Sequence, residues 1–471
     1  MRVKLSAMPV RLFGMAIFAT VALSLFGGGT AKAAELSATP ENITSVIAGA
    51  EAGDTVQLEA TGDNGVAYSY SGFTVDKAIT IDGNDAIASG IVKVTSGGVT
   101  IKDINFHAND KNSESAIQAR GNINGLTISG NNFTGYKGWT IDMSSGTYSN
   151  VTITHNTDDN QDKNNITLVE SGAASSLRIA NNTFGSTVRI DGHDILTTDV
   201  DVSGNIFNTI PDTAISVVEA KNVTISDNVI TTMDSNVYTN IAVGQVMDAE
   251  ISGNTIAGSG KNIAISVTTK DYGEHTVGIA TGVVVADNQI KSSNTAVYID
   301  GAGDIELMGN NLTDLTVGVQ VGKGGEGNIG DITITGSNTI SADKAILVTE
   351  NALADDSGVY VSAKAAISGS VSDNAQVVYY DFDLPEPTPE DPDQGGDVAD
   401  EGQDNNDTPA VTEPVEEDSA DNTDVAAPNT GIATDATSGA ADGASILATI
   451  TTALAMLIVL AGIRIAAKEN D

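Results

Sequence analysis

Through the middle of the chain one short figure returns: apolar, polar, apolar, polar, then Gly, Asp or Asn, then Asn. Leu126-Thr127-Ile128-Ser129-Gly130-Asn131-Asn132-Phe133 sets the template. It recurs from Val151, Leu177, Val200, Val223, Ile251, Val283 and Ile305. The aligned asparagines fall at 131, 156, 182, 205, 228, 254, 288 and 310, at intervals of 22–26 residues apart from one of 34, which places an inserted loop near residues 270–276. Alternation within each copy predicts a strand with one buried face. The pair that follows predicts a sharp corner, because Asn and Gly tolerate the left-handed backbone that a corner requires. A second short strand is expected midway through most repeats, at Trp139-Thr140-Ile141-Asp142-Met143, Val188-Arg189-Ile190-Asp191, Ala214-Ile215-Ser216-Val217 and Ala296-Val297-Tyr298-Ile299-Asp300.

Several strands in about two dozen residues, with no helical period between them, describe a coil. A coil buries its apolar side only when its neighbours cover it, so many must stack, and stacked Asn side chains can then hydrogen-bond as a ladder. A β-sandwich would need hairpin signals every 8–12 residues and would not return Asn in this register. The pattern predicts an all-β, one-strand-wide solenoid over residues 34–383. It is expected to have eleven or twelve coils and a length of about 55 Å at the usual strand separation. Phe133, Phe184 and Phe207 fall at inward positions and are expected in the core, and Tyr68, Tyr70, Tyr379 and Tyr380 at the ends.

These repeats resemble the right-handed parallel β-helix repeats of the pectin-lyase-like superfamily, over roughly residues 35–380. The resemblance implies an N-terminal cap over about 40–60, with an amphipathic helix from Pro40 to Ala50 and a first strand ending at Leu58. It also implies a polysaccharide groove along one sheet face. Lyases of that superfamily pair Ca²⁺-binding acids with an Arg or Lys base, and its hydrolases use clustered aspartates.

The ends carry different signals. Arg2, Lys4 and Arg11, then an apolar stretch from Leu12 to Phe26, then Ala31-Lys32-Ala33, read as a cleaved export signal over residues 1–33. At the other end, residues 444–463 form an apolar run long enough to cross a bilayer as a helix, followed by Arg464 and Lys468 in a short cytoplasmic tail, 464–471. Upstream, Ala427-Pro428-Asn429-Thr430-Gly431 resembles the Leu-Pro-x-Thr-Gly sorting signal of sortase-anchored Gram-positive wall proteins, with Ala427 in place of Leu. That resemblance implies cleavage between Thr430 and Gly431. The other reading keeps the helix as the anchor. Either way the body is expected outside a bacterial cell and held at its surface. Residues 384–443 hold seven of the ten prolines, and residues 381–442 carry 19 acids and no base. Such a segment cannot bury enough surface to offset its chain entropy and is expected to be a disordered stalk, with a reach of up to about 180 Å.

Charge narrows the partners. The formal net charge is −40, which disfavours nucleic acid, whose binding needs basic stripes. With no cysteine, neither disulfides nor thiolate metal sites contribute. One concentration of chemistry stands out, between Trp139 and Asp194. Alternation puts Asp142, Arg189 and Asp191 on the outer side of stacked second strands, where carboxylates could share a proton and Arg189 could hold a carboxylated sugar. These three are the candidate catalytic residues. Trp139, Glu170 and His193 are candidate substrate contacts, and Asp158 and Asp159 candidate Ca²⁺ ligands. Asn156-Thr157-Asp158-Asp159 and Gly192-His193-Asp194 echo two polygalacturonase motifs, but the remaining motifs have no counterpart in order, so hydrolase roles do not transfer. Aromatics make up only 4% of the chain, few for a sugar platform. Two functions stay open: a monomeric, non-catalytic adhesin-like or carbohydrate-binding rod facing an environmental polysaccharide or a host or partner cell, and a wall-bound lyase or hydrolase of uronate-containing glycans.

Overall fold

The computed structural model describes residues 32–380, apart from 63–64, 109–114, 160–165, 169–172, 193–195, 209, 211–212, 233–238, 269–278, 323–329, 350–351, 354–356, 363 and 373–377. The expected export signal, stalk, sorting residues and membrane helix lie outside these, as does the loop expected near residues 270–276. Among the described residues no helix is long and apolar enough to cross a membrane. The chain divides into two units, Met1–Pro389 and Glu390–Asp471, and the second lies wholly outside the described residues.

The first unit is an all-β parallel solenoid of the right-handed type. Every strand pairing is parallel, and the single antiparallel contact among the described residues is the isolated bridge between Thr61 and Ala67. Each coil contributes to three faces. Face one holds the template strands, face two the short strands just after the Asn corner, and face three the second strands of the repeat. On face one, ten full turns separate Val99 from Val359, through Leu126, Val151, Leu177, Val200, Val223, Ala249, Val283, Ile305 and Ile332. Strands Glu35–Ala38, Thr55–Leu58 and Thr80–Asp82 extend this face before Val99, and Val378–Tyr380 after it. About ten turns thus carry the regular repeat, against the eleven or twelve coils expected, and the coils at the N-terminal end lack the Gly/Asp-Asn corner on which the repeat was aligned.

The corners explain why the chain coils. Nine face-one strands, from Val99–Lys102 to the segment 305–308, are each bracketed by two residues with positive φ. Those before the strand are Gly98, Gly125, Asn150, Ser176, Asp199, Asn222, Asp248, Gly282 and Asp304; those after it are Asp103, Gly130, His155, Asn181, Gly204, Asp227, Gly253, Asp287 and Gly309. Only Gly and short polar or His side chains occupy these sites, the types that visit the left-handed region at least cost. Wherever the second site holds Asp or Asn, the next coil has Gly. A Cβ on Gly253 would lie 2.5 Å from Asp227 Oδ1, and one on Gly309 would lie 1.9 Å from Asp287 Oδ1. The carboxylate occupies the space that the neighbour's missing side chain leaves open.

Immediately after that corner runs a buried ladder. The side-chain amide of Asn131 donates to Asn156 Oδ1 at 3.0 Å, and the same bond recurs through Asn182, Asn205, Asn228, Asn254, Asn288 and Asn310 to Asn338. Each Asn from 131 to 310 also donates its backbone N–H to the next Oδ1, and its amide to a carbonyl of the preceding coil. Inside, inward positions stack like on like. Phe106 lies on Phe133 with ring centroids 4.9 Å apart, and Phe184 on Phe207 at 5.4 Å. Near the N-terminal end a short helix, Ile43–Gly49, buries Ile43 and Ile47 against the first coils. Tyr70 ties those coils together by donating to Ala38 O at 2.6 Å.

Two predictions follow from this core. Replacing Asn205, which is fully buried, with Ala leaves the Asn182 N–H without its acceptor and takes one hydrogen bond from the Ile179 carbonyl. It should cost about 3 kcal/mol in a urea titration. Burial pushes the phenols of Tyr70 and Tyr148 from 10.0 up to about 12, and Tyr136 is raised as well, first by burial and then by the Asp158 carboxylate. The unfolded chain therefore loses these protons before the folded one does. Stability should be fully present below pH 10 and fall between pH 10 and pH 12, as urea midpoints across that range would show.

Candidate functional site

Face three carries the densest outward-facing chemistry, and strand register sets which residues meet. Gln118 pairs with Asp142, Asp142 with Thr167, Thr167 with Arg189, and Arg189 with Ser216, giving one column on the side of the sheet away from the core, in which Thr167 and Asp142 are buried and Gln118, Arg189 and Ser216 partly exposed. Asp142 and Arg189 are thus two rungs apart, about 10 Å at normal strand separation. Asp191 lies on the same strand as Arg189 and on the same side, two residues on.

Two ion pairs sit on this face. The Arg120 guanidinium bonds Asp142 Oδ2, and its other arm donates to the Asp142 and Ala119 carbonyls at 3.0 and 2.8 Å. Asp142 Oδ1 accepts the Ser144 N–H at 3.0 Å, so both carboxylate oxygens are engaged. Arg189 Nη2 lies 3.2 Å from Asp191 Oδ2. In each pair the carboxylate lies against the sheet and the guanidinium lies above it. Side-chain exposure is 5% for Asp142 against 34% for Arg120, and 12% for Asp191 against 42% for Arg189. The face therefore presents two partly exposed guanidiniums on shielded acids. Beneath the first pair, the Tyr148 hydroxyl donates to the Ala119 and Ser145 carbonyls, both at 2.9 Å. Burial is the main reason its phenol is raised, and Arg120 works against that shift.

Of the residues singled out from the sequence, Asp142, Arg189 and Asp191 thus share one face without touching as a triad. Trp139 precedes the Asp142 strand and is 37% exposed. Glu170 and His193 lie outside the described residues. Asp158 and Asp159, the candidate Ca²⁺ ligands, are not brought together. Asp158 takes the inward position of its short strand, in register with Phe133 and Phe184, and is 3% exposed. Asp159 is exposed and accepts the Gly135 N–H at 3.2 Å. Strand alternation sends the two carboxylates to opposite sides of the wall. Among the described residues no three His, Asp or Glu side chains gather as metal ligands.

Sequence reasoning missed Arg120, whose strand shifts register between Gln118 and Arg120 and so escapes simple alternation. It also missed Glu219 and Gln245, buried at the corner after face three, each with positive φ. Their signal was a lone polar residue closing an apolar run, as in Val217-Val218-Glu219-Ala220. A left-handed residue of this size is uncommon and marks a place held by its surroundings.

No protein-family model matches the chain, and no curated protein matches it. Solved structures give distant likenesses. The A-module of the Azotobacter vinelandii mannuronan C-5 epimerase AlgE6 is 12% identical over 74% of this chain and 95% of its own, with a TM-score of 0.34. A mannuronic acid-specific polysaccharide family 6 lyase from human gut microbiota is 11% identical over 74% and 92%, at 0.35. An alginate lyase, AlyF-OU02, is 12% identical over 75% and 89%, at 0.34. Values this low carry no argument about activity or substrate.

The exposure asymmetry of the ion pairs sets a stability order. Arg120→Ala strands a shielded carboxylate, whereas Asp142→Ala frees a guanidinium that can turn to water. The first should be the more destabilising, by about 1–2 kcal/mol in thermal or urea unfolding, after allowing for the exposure of Arg120.

Proposed function

We propose that this protein is a non-catalytic polysaccharide-binding rod, exported and held at a bacterial cell surface, with face three as its binding face. The observation that carries the reading is the presentation of Arg120 and Arg189 above shielded carboxylates in one region of a rigid sheet. A planar guanidinium fork suits the carboxylate of a sugar, and the strands that carry the two forks lie three rungs, about 14 Å, apart. Trp139 supplies an apolar ring at the same end of the face. Binding is favoured over turnover because Asp142, the more shielded acid of the two ion pairs, is occupied. A general base needs an acceptor position open to the substrate proton, and both oxygens of Asp142 are already hydrogen-bonded. The stalk over residues 384–443 would carry the rod outward, anchored either by cleavage between Thr430 and Gly431 or by the helix over residues 444–463.

The second reading, a lyase or hydrolase of uronate-containing glycans, draws on the 42% exposure of the Arg189 side chain, which leaves that cation open to a sugar carboxylate beside Asp191. Incubation of the protein with uronate polymers separates the two readings. On the binding reading no unsaturated ends and no new reducing ends accumulate, while calorimetry records saturable binding. Arg189→Ala should weaken that binding about tenfold or more, the weight of one charged hydrogen bond. Because the chain is strongly anionic, affinity for a uronate polymer should rise with salt as long-range repulsion is screened. Turnover that disappears in Arg189→Ala would sink the binding reading.

A further inference from the structure

Face two is chemically unlike the rest of the molecule. Its strands follow the Asn corner and pair without a break from Asn105–His107 to the segment 366–368, through Asn132, Thr157, Thr183, Ile206, Val229, Thr255, Gln289, Asn311 and Thr339. Two outward positions per rung form two columns. The first runs through the residues just named. The second includes Thr134, Asn208, Thr231, Ala257, Thr313 and Ser341. Among these outward positions the charged side chains are Asp159 and Lys291, with His107 at one end. Face one, by contrast, turns Lys102, Arg178, Asp201, Glu250 and Glu306 outward, and face three carries the ion pairs. In a chain of net charge −40, a nearly uncharged face over eleven rungs is a surface from which charge is missing.

What fills it is mostly hydroxyl and amide. The hydroxyls of Thr157, Thr183, Thr231, Thr255 and Thr313 have no hydrogen-bond partner among the described residues, so they are open to a ligand. Their spacing is imposed by the fold: about 4.8 Å from rung to rung and about 6.7 Å across a strand. The buried ladder at the adjoining corner holds that spacing rigid. A rigid, uncharged, hydrogen-bonding surface favours a partner that is itself uncharged, polar and regularly repeating, since a charged one would be desolvated here without a counter-charge.

We infer that face two is a second binding surface, and that its ligand is an uncharged, extended polysaccharide lying along the rod. This site is independent of the guanidinium site on face three. It escapes the repulsion that an acidic polymer meets on approaching this protein. Each rung adds a weak contact, and rungs in register add up as a multivalent array does.

The test is a depletion assay of the full chain on two insoluble uncharged polysaccharides, cellulose and chitin, beside an insoluble uronate polymer. Three variants are compared: Thr231→Lys with Thr255→Lys, Thr231→Glu with Thr255→Glu, and Arg189→Ala. All substituted side chains point outward, and thermal midpoints check that each variant folds. The expected result is that both face-two pairs lose at least tenfold in affinity for an uncharged polysaccharide, whichever sign is introduced, while Arg189→Ala binds it as the native chain does. Failure of the native chain to bind either uncharged polymer would overturn the inference, as would unchanged binding by both face-two pairs. Loss confined to Arg189→Ala would assign uncharged glycans to face three instead. A dimer in sedimentation that the face-two substitutions dissolve would give the surface to a second copy of the chain. Binding of the uronate polymer, lost only in Arg189→Ala, reports on face three alone.

Discussion

Register is the constraint on which the rest of this molecule depends. No coil satisfies its own backbone, because every inner strand both donates to and accepts from the coils on its two sides. A slip of one residue would turn every inward side chain outward. The buried Asn ladder guards against that slip. It places one amide per coil where its acceptor and donor partners lie in the two neighbouring coils, and at no other register would they coincide. Binding surfaces follow from the same constraint. A column such as Asp142, Thr167, Arg189 exists only because successive coils agree on which residue faces which.

Much of the fold was legible in the chain because the signals were local and repeated. Inward Phe133, Phe184 and Phe207 and eight of the nine ladder asparagines could be aligned by eye. Asn338 escaped because Gly336 and Ser337 lengthen the corner before it. The candidate site was less legible. Asp142, Arg189 and Asp191 were placed on one face by alternation, but the partner of Asp142 is Arg120, which reaches it from a coil whose register shifts. Asp158 shows the opposite hazard. Read as part of an acidic motif it looked like a metal ligand, yet the alternation that identified the core phenylalanines already pointed it inward.

The three faces divide the chemistry of an acidic molecule. Face three concentrates cations on buried counter-charges, face one spreads acids and bases among serines and threonines, and face two is left almost neutral. A solenoid allows this because its faces share a core but not a surface. A change of outward residue on one face leaves the inward packing of the others as it was.

The glycine that sits over each corner aspartate or asparagine has an evolutionary consequence. Asp103, Asn181, Asp227 and Asp287 are each overlain by a residue with no side chain. Losing the glycine coil of such a couple by recombination would set a side chain against the corner carboxylate or amide, so the bare coil is the one the rod can least easily shed; only His155 and Asn181, among these nine corners, already stand bulky on bulky.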